Sequence, residues 1–245
     1  MLLFLADVHL SDENPALTEF FLSFLRTRAR AAEAVYILGD LFETWLGDDD
    51  DSQSATAARQ ALQTLTGQDV QVFLQHGNRD FLLGHTFCRQ TGCTLLPEFA
   101  RVPLGRDNQA LLLHGDQLCL QDQAYQAFRR QVRDVQWQRV FLDKPLGLRR
   151  AIAEQARRES TAHVQSATQA VLEIAQAEVE RIAKAQGVER LIHGHIHQSG
   201  WHEFALDGNP AQRVVVGDWR ATEAVILVWE GEQGQLETIM PSLWI

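Results

Sequence analysis

Cysteine is scarce. Cys88, Cys93 and Cys119 are the three in 245 residues, an odd number at spacings that match no metal-ligand pattern. That leaves no thiolate metal site and fits free thiols in a reducing cytoplasm. No run approaches the roughly 18 apolar residues that a membrane span requires, so any membrane contact is expected to be peripheral. The opening stretch MLLFLADVHL is apolar but carries Asp7 and His9 within ten residues. It has no basic leader and no small-residue cleavage site, so a signal peptide is not expected. Basic charge is also short. The formal net charge is −10, which argues against nucleic acid as a partner, because that role needs a net basic surface. No repeat or low-complexity linker is present, and nothing implies an obligate protein partner.

What is present suits one sizeable core. Leu2 to Ala6 reads as a buried strand. NPALTEFFLSFLRTRA reads as a helix with Asn14 as cap and Pro15 at its first position. Val35 to Leu38 is a second strand, ending in Gly39 and Asp40. The acidic loop FETWLGDDDDSQS follows, then a helix from about Ala55 to Thr66 stopped by Gly67, then a strand from Val70 to Leu74. This β-α-β-α-β order predicts a parallel sheet covered by helices. Such sheets collect working residues at the carboxyl ends of their strands.

Beyond this point the pattern changes. ARVPLGRDNQALLLHGD reads as two strands around a Gly-Arg-Asp-Asn turn, the second ending at His114. Residues 121–187 are helical and polar, broken near Pro145 and Gly147, and too long for a simple crossover. Within them residues 126–160 carry nine Lys or Arg against four acids, a net +5 inside an acidic chain. That patch is either a solvated helix face or a contact for anions and membrane surfaces. Leu191 to His193 resumes a strand, and segments such as RVVVGDW and AVILVWE complete the core. The expected organisation is a core of residues 1–120 and 188–245, with residues 121–187 as an inserted helical lid and return helix.

Five strand ends share one property: each offers ligands for a hard or borderline cation. They are DVH at 7–9, GD at 39–40, GN at 77–78, HGD at 114–116 and GHIH at 194–197. In an extended segment residues two apart point the same way, so Asp7 with His9, and His195 with His197, can each aim two ligands at one point. Carboxylate and imidazole together suit manganese, iron, zinc or similar ions. Asp7, His9, Asp40, Asn78, His114, His195 and His197 are too many for one ion and natural for two. Two ions about 3.5–4 Å apart activate water and clamp a phosphate in line.

The order D-x-H, G-D, G-N, H, G-H-x-H resembles the calcineurin-like metallophosphoesterase superfamily, from Asp7 to His197. The resemblance implies an α/β fold, a metallophosphoesterase β-sandwich core flanked by helices, with the lid inserted. It implies that Asp7, His9, Asp40 and His197 hold one metal and that Asp40, Asn78, His114 and His195 hold the other, Asp40 bridging. Most members carry His after the Asn; here Arg79 stands in HGNRD. GDLFETWLGDDD, HGNRDFLLG and HGDQLCLQDQAYQAFR are similar to a narrower family, the UDP-2,3-diacylglucosamine hydrolases of lipid A biosynthesis. That family cleaves the pyrophosphate of a UDP-linked acylated sugar, releases UMP and the diacylglucosamine 1-phosphate, and uses manganese. It therefore implies two manganese ions and a place on the cytoplasmic face of the inner membrane, in peripheral contact with anionic lipid.

Arg79 has a physical role in that reaction. A guanidinium gives two parallel hydrogen bonds to nonbridging phosphate oxygens and never loses its charge. Catalytic roles are expected for Arg79, Asp40 and His195. Asp80 either orients Arg79 or caps a helix in FLLGHTFCRQ. Asp116 is a candidate partner of a ligand histidine. By resemblance, substrate contacts fall on Asn78, Arg79, Asp122, Ser160 and His195. After the serine the family has Asn four residues on and Lys seven residues on; this chain has Val164 and Ala167. His163 or a lid arginine is the candidate replacement. The departure leaves open a second reading, a metallophosphoesterase for another nucleotide, sugar pyrophosphate or phosphodiester. In the lid, Leu142, Leu146, Leu148 and Ile152 serve either acyl chains or helix packing, with Arg149 and Arg150 turned to lipid headgroups in the first case.

Overall fold

The computed structural model describes residues 1–106, 108–166 and 173–241; the side chains of residues 159–166 lie outside the description. Two sheets stack face to face. The first runs β11-β10-β1-β2-β3-β4 and the second β5-β6-β7-β9-β8. In the first, β1 (Leu2–Leu5), β2 (Ala34–Ile37), β3 (Gln71–Leu74) and β4 (Thr94–Leu95) are parallel. The antiparallel pair β10 (Ala224–Glu230) and β11 (Gln233–Ile239) closes its far side. In the second, β6 (Gln109–Leu112), β7 (Arg190–His193) and β9 (Asn209–Val215) are parallel. The antiparallel edges are β5 (Ala100–Pro103) and β8 (Gly200–Leu206).

The alternation of β1 explains the layering. Leu3 and Leu5 face one core with Phe20, Phe21 and Phe24 of α1 (Pro15–Arg26) and Ala58 and Leu62 of α2 (Gln53–Thr66). Phe4 and Ala6 face the other sheet, where they meet Leu112, Ile192 and Val214. Strands buried on both sides read as near-continuous apolar runs, and this strand does. In-register pairing stacks Phe4, Tyr36 and Phe73 with centroids 4.8 and 4.9 Å apart. A third cluster joins Leu111 and Leu191 to Val179, Ile182 and Ala183 of α7 (Gln176–Gln186) on the outer face of the second sheet. The order is helix, sheet, sheet, helix.

The expected caps hold. The Asn14 side chain accepts from the Leu17 N–H at 3.2 Å with Pro15 at the first helical position, and α2 ends at Gly67. The long helical stretch divides into α4 (Gln123–Val132), α5 (Val135–Leu142) and α6 (Leu146–Ser166), with the break before Leu146 as expected and a further one at Arg133 and Asp134. α3 (His85–Thr91) begins after Gly84, which has no side chain to cap it, so Asp80 is not a helix cap.

Two arginines of this helical stretch pair with the acidic loop, and one of them departs from the headgroup-facing alternative. Arg149 is buried rather than turned to lipid: it clasps Asp49 and the Leu46 carbonyl, and donates to Lys144 O at 2.9 Å. Arg150 pairs with Asp51. The DDDD loop supplies the counter-charges for both, which favours the helix-packing alternative for Arg149. Leu146 packs on the first core cluster, while Leu142, Leu148 and Ile152 stay exposed. Among the described residues no helix is long and apolar enough to cross a membrane.

Candidate metal centre

Hydrogen bonding between β1 and β2 runs past the strands themselves. Asp7 N–H donates to Gly39 O at 3.1 Å and His9 N–H to Asp40 O at 3.0 Å. The two segments therefore leave the sheet side by side. Asp7 (φ 55), His9 (φ 56), Asp40 (φ 52), His195 (φ 73) and His197 (φ 52) all adopt left-handed backbone. The Asp-x-His and His-x-His spacings thus work through left-handed turns and not through the pleat of a strand. Such residues cost about 1–3 kcal/mol each and concentrate at functional sites.

Glycine makes room for these turns. Gly77 has no left-handed φ; its role is close approach, since a Cβ there would lie 2.0 Å from Asp40 Oδ1. A Cβ on Gly194 would lie 2.4 Å from Asp7 Oδ2. Gly39 does turn left-handed, at φ 92.

All seven proposed ligands converge. Asp7, His9 and His197 form one group and Asp7, Asp40 and His114 another, with ligand atoms in each within 4.8 Å of one another. His9 Nε2 and His197 Nε2 face each other at 3.3 Å. Asp40 Oδ2 stands between His9 Nε2 at 3.9 Å and His114 Nε2 at 3.8 Å. Asn78 Oδ1 lies 2.9 Å from both His114 Nε2 and His195 Nδ1. The His114 Nδ1–H donates to the Leu38 carbonyl at 2.8 Å, which leaves Nε2 free to offer a lone pair to the centre.

The donor set fits divalent cations. Asp7 is fully buried, and its Oδ1 has no hydrogen-bond partner among the described residues. Burial, with the neighbouring Asp40 charge adding to it, pushes its carboxyl up to about 7. Burial raises Asp40 as well. Burial, with His114 beside it, lowers His195 to about 3; burial and His9 lower His197 to about 4. Burial lowers His9, but the contact with Glu43 and the charges of Asp40 and Asp7 outweigh it and raise His9 to about 8; the same two aspartates raise His114 against its burial. Carboxylates that resist ionising unaided, beside His195 and His197 that stay neutral, are what a cation exploits, and it would displace the protons on the other two.

Glu43 was missed in the sequence, where it is one more acid in an acidic loop. It contacts His9, Arg79 and Arg157. Asp80 does something other than either expected role. Its Oδ1 accepts from Gly77 N–H at 2.8 Å and Asp40 N–H at 3.2 Å, and its Oδ2 from Leu41 N–H at 2.8 Å. It ties the second and third strand ends together. Among the described residues Asp116 touches no histidine by hydrogen bond. It accepts from Tyr125 Oη at 2.5 Å and Arg129 Nε at 2.7 Å, joining α4 to the His114 segment. Burial opposes its ionisation, but His114, Arg129 and His195 together hold the carboxyl well below the usual range.

Arg133 donates to Gly77 O at 2.8 Å, a second tie from the helical insertion to the centre. Asp122 is buried at the start of α4, where it accepts from Tyr125 N–H at 2.9 Å. The side chains of Ser160, His163 and Val164, and Ala167 as a whole, lie outside the described residues, as does Asp107 of the expected turn. A cleft of about 590 Å³ opens over the centre, and Asn78, Arg79, Arg157 and His195 are among its walls.

The calcineurin-like phosphoesterase family matches residues 1–199. Relatives named UDP-2,3-diacylglucosamine hydrolase align nearly end to end. That of Cellvibrio japonicus is 44% identical over 218 residues, 89% of this chain and 90% of the relative. That of Pseudomonas aeruginosa is 43% identical over 217 residues, with the same coverage. That of Xanthomonas oryzae pv. oryzae is 45% identical over 231 residues, 91% and 93%. The metallophosphoesterase family uses divalent metals, and this chain supplies the ligand groups for them. With its two-sheet fold, its strand-end ligands and these relatives, the chain belongs to the calcineurin-like phosphoesterase family and, within it, to the family of the UDP-2,3-diacylglucosamine hydrolases.

Proposed function

We propose that the protein hydrolyses the pyrophosphate of UDP-2,3-diacylglucosamine to UMP and 2,3-diacylglucosamine 1-phosphate, with two manganese ions, on the cytoplasmic face of the inner membrane. The observation that carries this reading is the convergence of seven ligand residues on one cleft, in a chain whose relatives of 43–45% identity bear that hydrolase name.

Asp7, His9, Asp40 and His197 hold one ion; Asp40, Asn78, His114 and His195 hold the other. When bound, two such ions acidify water and neutralise charge developing on the phosphoryl oxygens. Water adds to the phosphorus next to uridine. The bridging P–O bond breaks, and its electron pair leaves with the lipid 1-phosphate. No covalent enzyme intermediate forms. Asp40 and His195 hold the reacting groups, and the backbone N–H of Arg79 fixes Asp40 Oδ1 at 2.7 Å. The Arg79 guanidinium binds nonbridging oxygens of the pyrophosphate.

Residues 121–187 act as a lid over the core of residues 1–120 and 188–245. Asp122 and Ser160 contact the glucosamine. The exposed Leu142, Leu148 and Ile152 suit acyl chains and peripheral contact with an anionic membrane. Among the lid arginines, Arg157 lines the cleft, which makes it the candidate to do the work of the lysine that the family has where this chain has Ala167.

The test offers the purified protein UDP-2,3-diacylglucosamine in mixed micelles with Mn²⁺ and follows UMP, with a chelated control. Fast metal-dependent release supports the reading. No release alongside hydrolysis of a generic phosphodiester would mean that the centre works on another substrate.

A further inference from the structure

Glu43 lies on the loop after β2, beyond the isolated parallel bridge that pairs Leu10 with Phe42. Its N–H donates to Leu10 O at 3.0 Å, so the same pairing that aligns Asp7 with Gly39 carries Glu43 alongside His9. The carboxylate is four-fifths buried, and its two oxygens are divided. Oε2 lies 2.8 Å from His9 Nδ1. Oε1 lies 2.9 Å from Arg157 Nη2 and 3.5 Å from Arg79 Nη1.

The division has two consequences. The carboxylate stands 2.8 Å from His9 Nδ1 outside hydrogen-bond geometry, so its charge favours the proton on that nitrogen and leaves Nε2 as the nitrogen that faces His197 and Asp40. The other oxygen holds two guanidinium groups at the wall of the cleft. Arg157 comes from α6 and Arg79 from the loop after β3, so one carboxylate gathers three segments that are far apart in the chain. Each guanidinium has five N–H donors, so a phosphate in the cleft can engage either of them and competes with Oε1 for their charge.

We infer that Glu43 is a positioning residue with a double office: one oxygen orients His9 for a metal ion, and the other holds Arg79 and Arg157 as a stand-in for the substrate's phosphate, which displaces it. The inference rests on the metal-centre reading above. It assigns Glu43 no contact with the reacting atoms.

The test compares wild type, Glu43→Gln and Glu43→Asp as apo proteins, with folding followed by thermal melts. Mn²⁺ affinity is measured by calorimetry. UMP affinity is measured separately on the metal-free proteins over a range of salt. For Glu43→Gln, Mn²⁺ affinity falls by about 10–100-fold, the scale for losing an outer carboxylate. UMP binds the metal-free protein several-fold tighter, because the competing charge is gone. Glu43→Asp, which keeps the charge on a shorter arm, recovers part of the metal affinity. A folded Glu43→Gln that binds both ligands like wild type overturns the inference. So does one that weakens both together, since a merely structural role would do that. If Glu43→Gln does not fold, Glu43→Asp decides: reduced Mn²⁺ affinity with UMP affinity kept or raised supports the inference, and wild-type Mn²⁺ affinity, or both affinities reduced together, overturns it. Wild type that binds no Mn²⁺ sinks the metal-centre reading itself, a distinct outcome.

Discussion

Replacing Asp80 by Asn is a sharp probe of how the centre is built. The side chain is fully buried, and its two oxygens take three backbone N–H groups, from Asp40, Leu41 and Gly77. Asparagine keeps the shape but has one acceptor oxygen. Its best placement leaves that oxygen on Gly77 and Asp40 and sets its NH₂ against the Leu41 N–H. One charge-assisted bond is lost, one buried donor is stranded, and two bonds lose their charge. The combined cost is about 3 kcal/mol. At roughly 2–4 °C per kcal/mol for a chain of this size, the melting temperature falls by about 6–12 °C. Because the lost bond holds the segment carrying Asp40, Mn²⁺ affinity falls as well. Asp80→Ala strands all three donors and costs about 5 kcal/mol, a large share of a typical folding free energy. Urea unfolding of the metal-free proteins gives the stability difference, and calorimetry gives the affinity. An Asn variant within about 0.5 kcal/mol of wild type, with unchanged Mn²⁺ affinity, would falsify this account of Asp80.

Arg79→Ala lowers turnover by about 10²–10³-fold, the scale for one transition-state donor, while Mn²⁺ binding persists; unchanged turnover in a steady-state assay removes the role given to Arg79. His9→Ala and Asp40→Ala lose metal content and activity together, as measured by elemental analysis beside UMP release; full activity in a metal-depleted variant contradicts the dinuclear scheme. Arg149→Ala destabilises by about 2–3 kcal/mol through lost buried hydrogen bonds and speeds proteolysis in residues 121–166; a wild-type digestion pattern argues that the clasp on Asp49 does not hold the helices down. Arg149 holds Asp49 below the usual 3.8. The folded value is depressed, so this contribution is complete above the unfolded value and is lost as pH falls through the lower folded one. The destabilisation by Arg149→Ala therefore shrinks in melts taken below about pH 4 and is constant above about pH 5; an unchanged difference at low pH rejects the ion pair.

Much of the arrangement was legible because it is written in local signals. Asn14, Pro15 and Gly67 bound their helices, and the strand ends declare themselves through apolar runs that stop at Asp7, Asp40, Asn78, His114 and His195. The signals failed where a residue's part depends on who arrives from elsewhere. Asp80 has a helix-cap spacing but spends its oxygens on segments some 40 residues away. Arg149 has the look of a surface base in a basic patch and is buried against Asp49, a hundred residues distant. Glu43 gave no signal at all, because nothing in an acidic loop marks the one carboxylate that will face a histidine.

By itself the sequence determined the ligand chemistry and its order: which carboxylates, imidazoles and amide the chain owns, and that each ends a buried strand. Hydrophobic periodicity and short-range turn residues suffice for that. Only the tertiary structure decided how those ends meet. The Asp-x-His and His-x-His pairs aim their side chains through left-handed backbone, not strand pleating, and that conformation is stable only with Gly77 and Gly194 leaving room beside Asp40 and Asp7. Asp80, Asp116 and Glu43 then bind the segments to one another. Charge at a distance in sequence has no period and no local propensity; it acquires a partner only when the sheets and helices are packed.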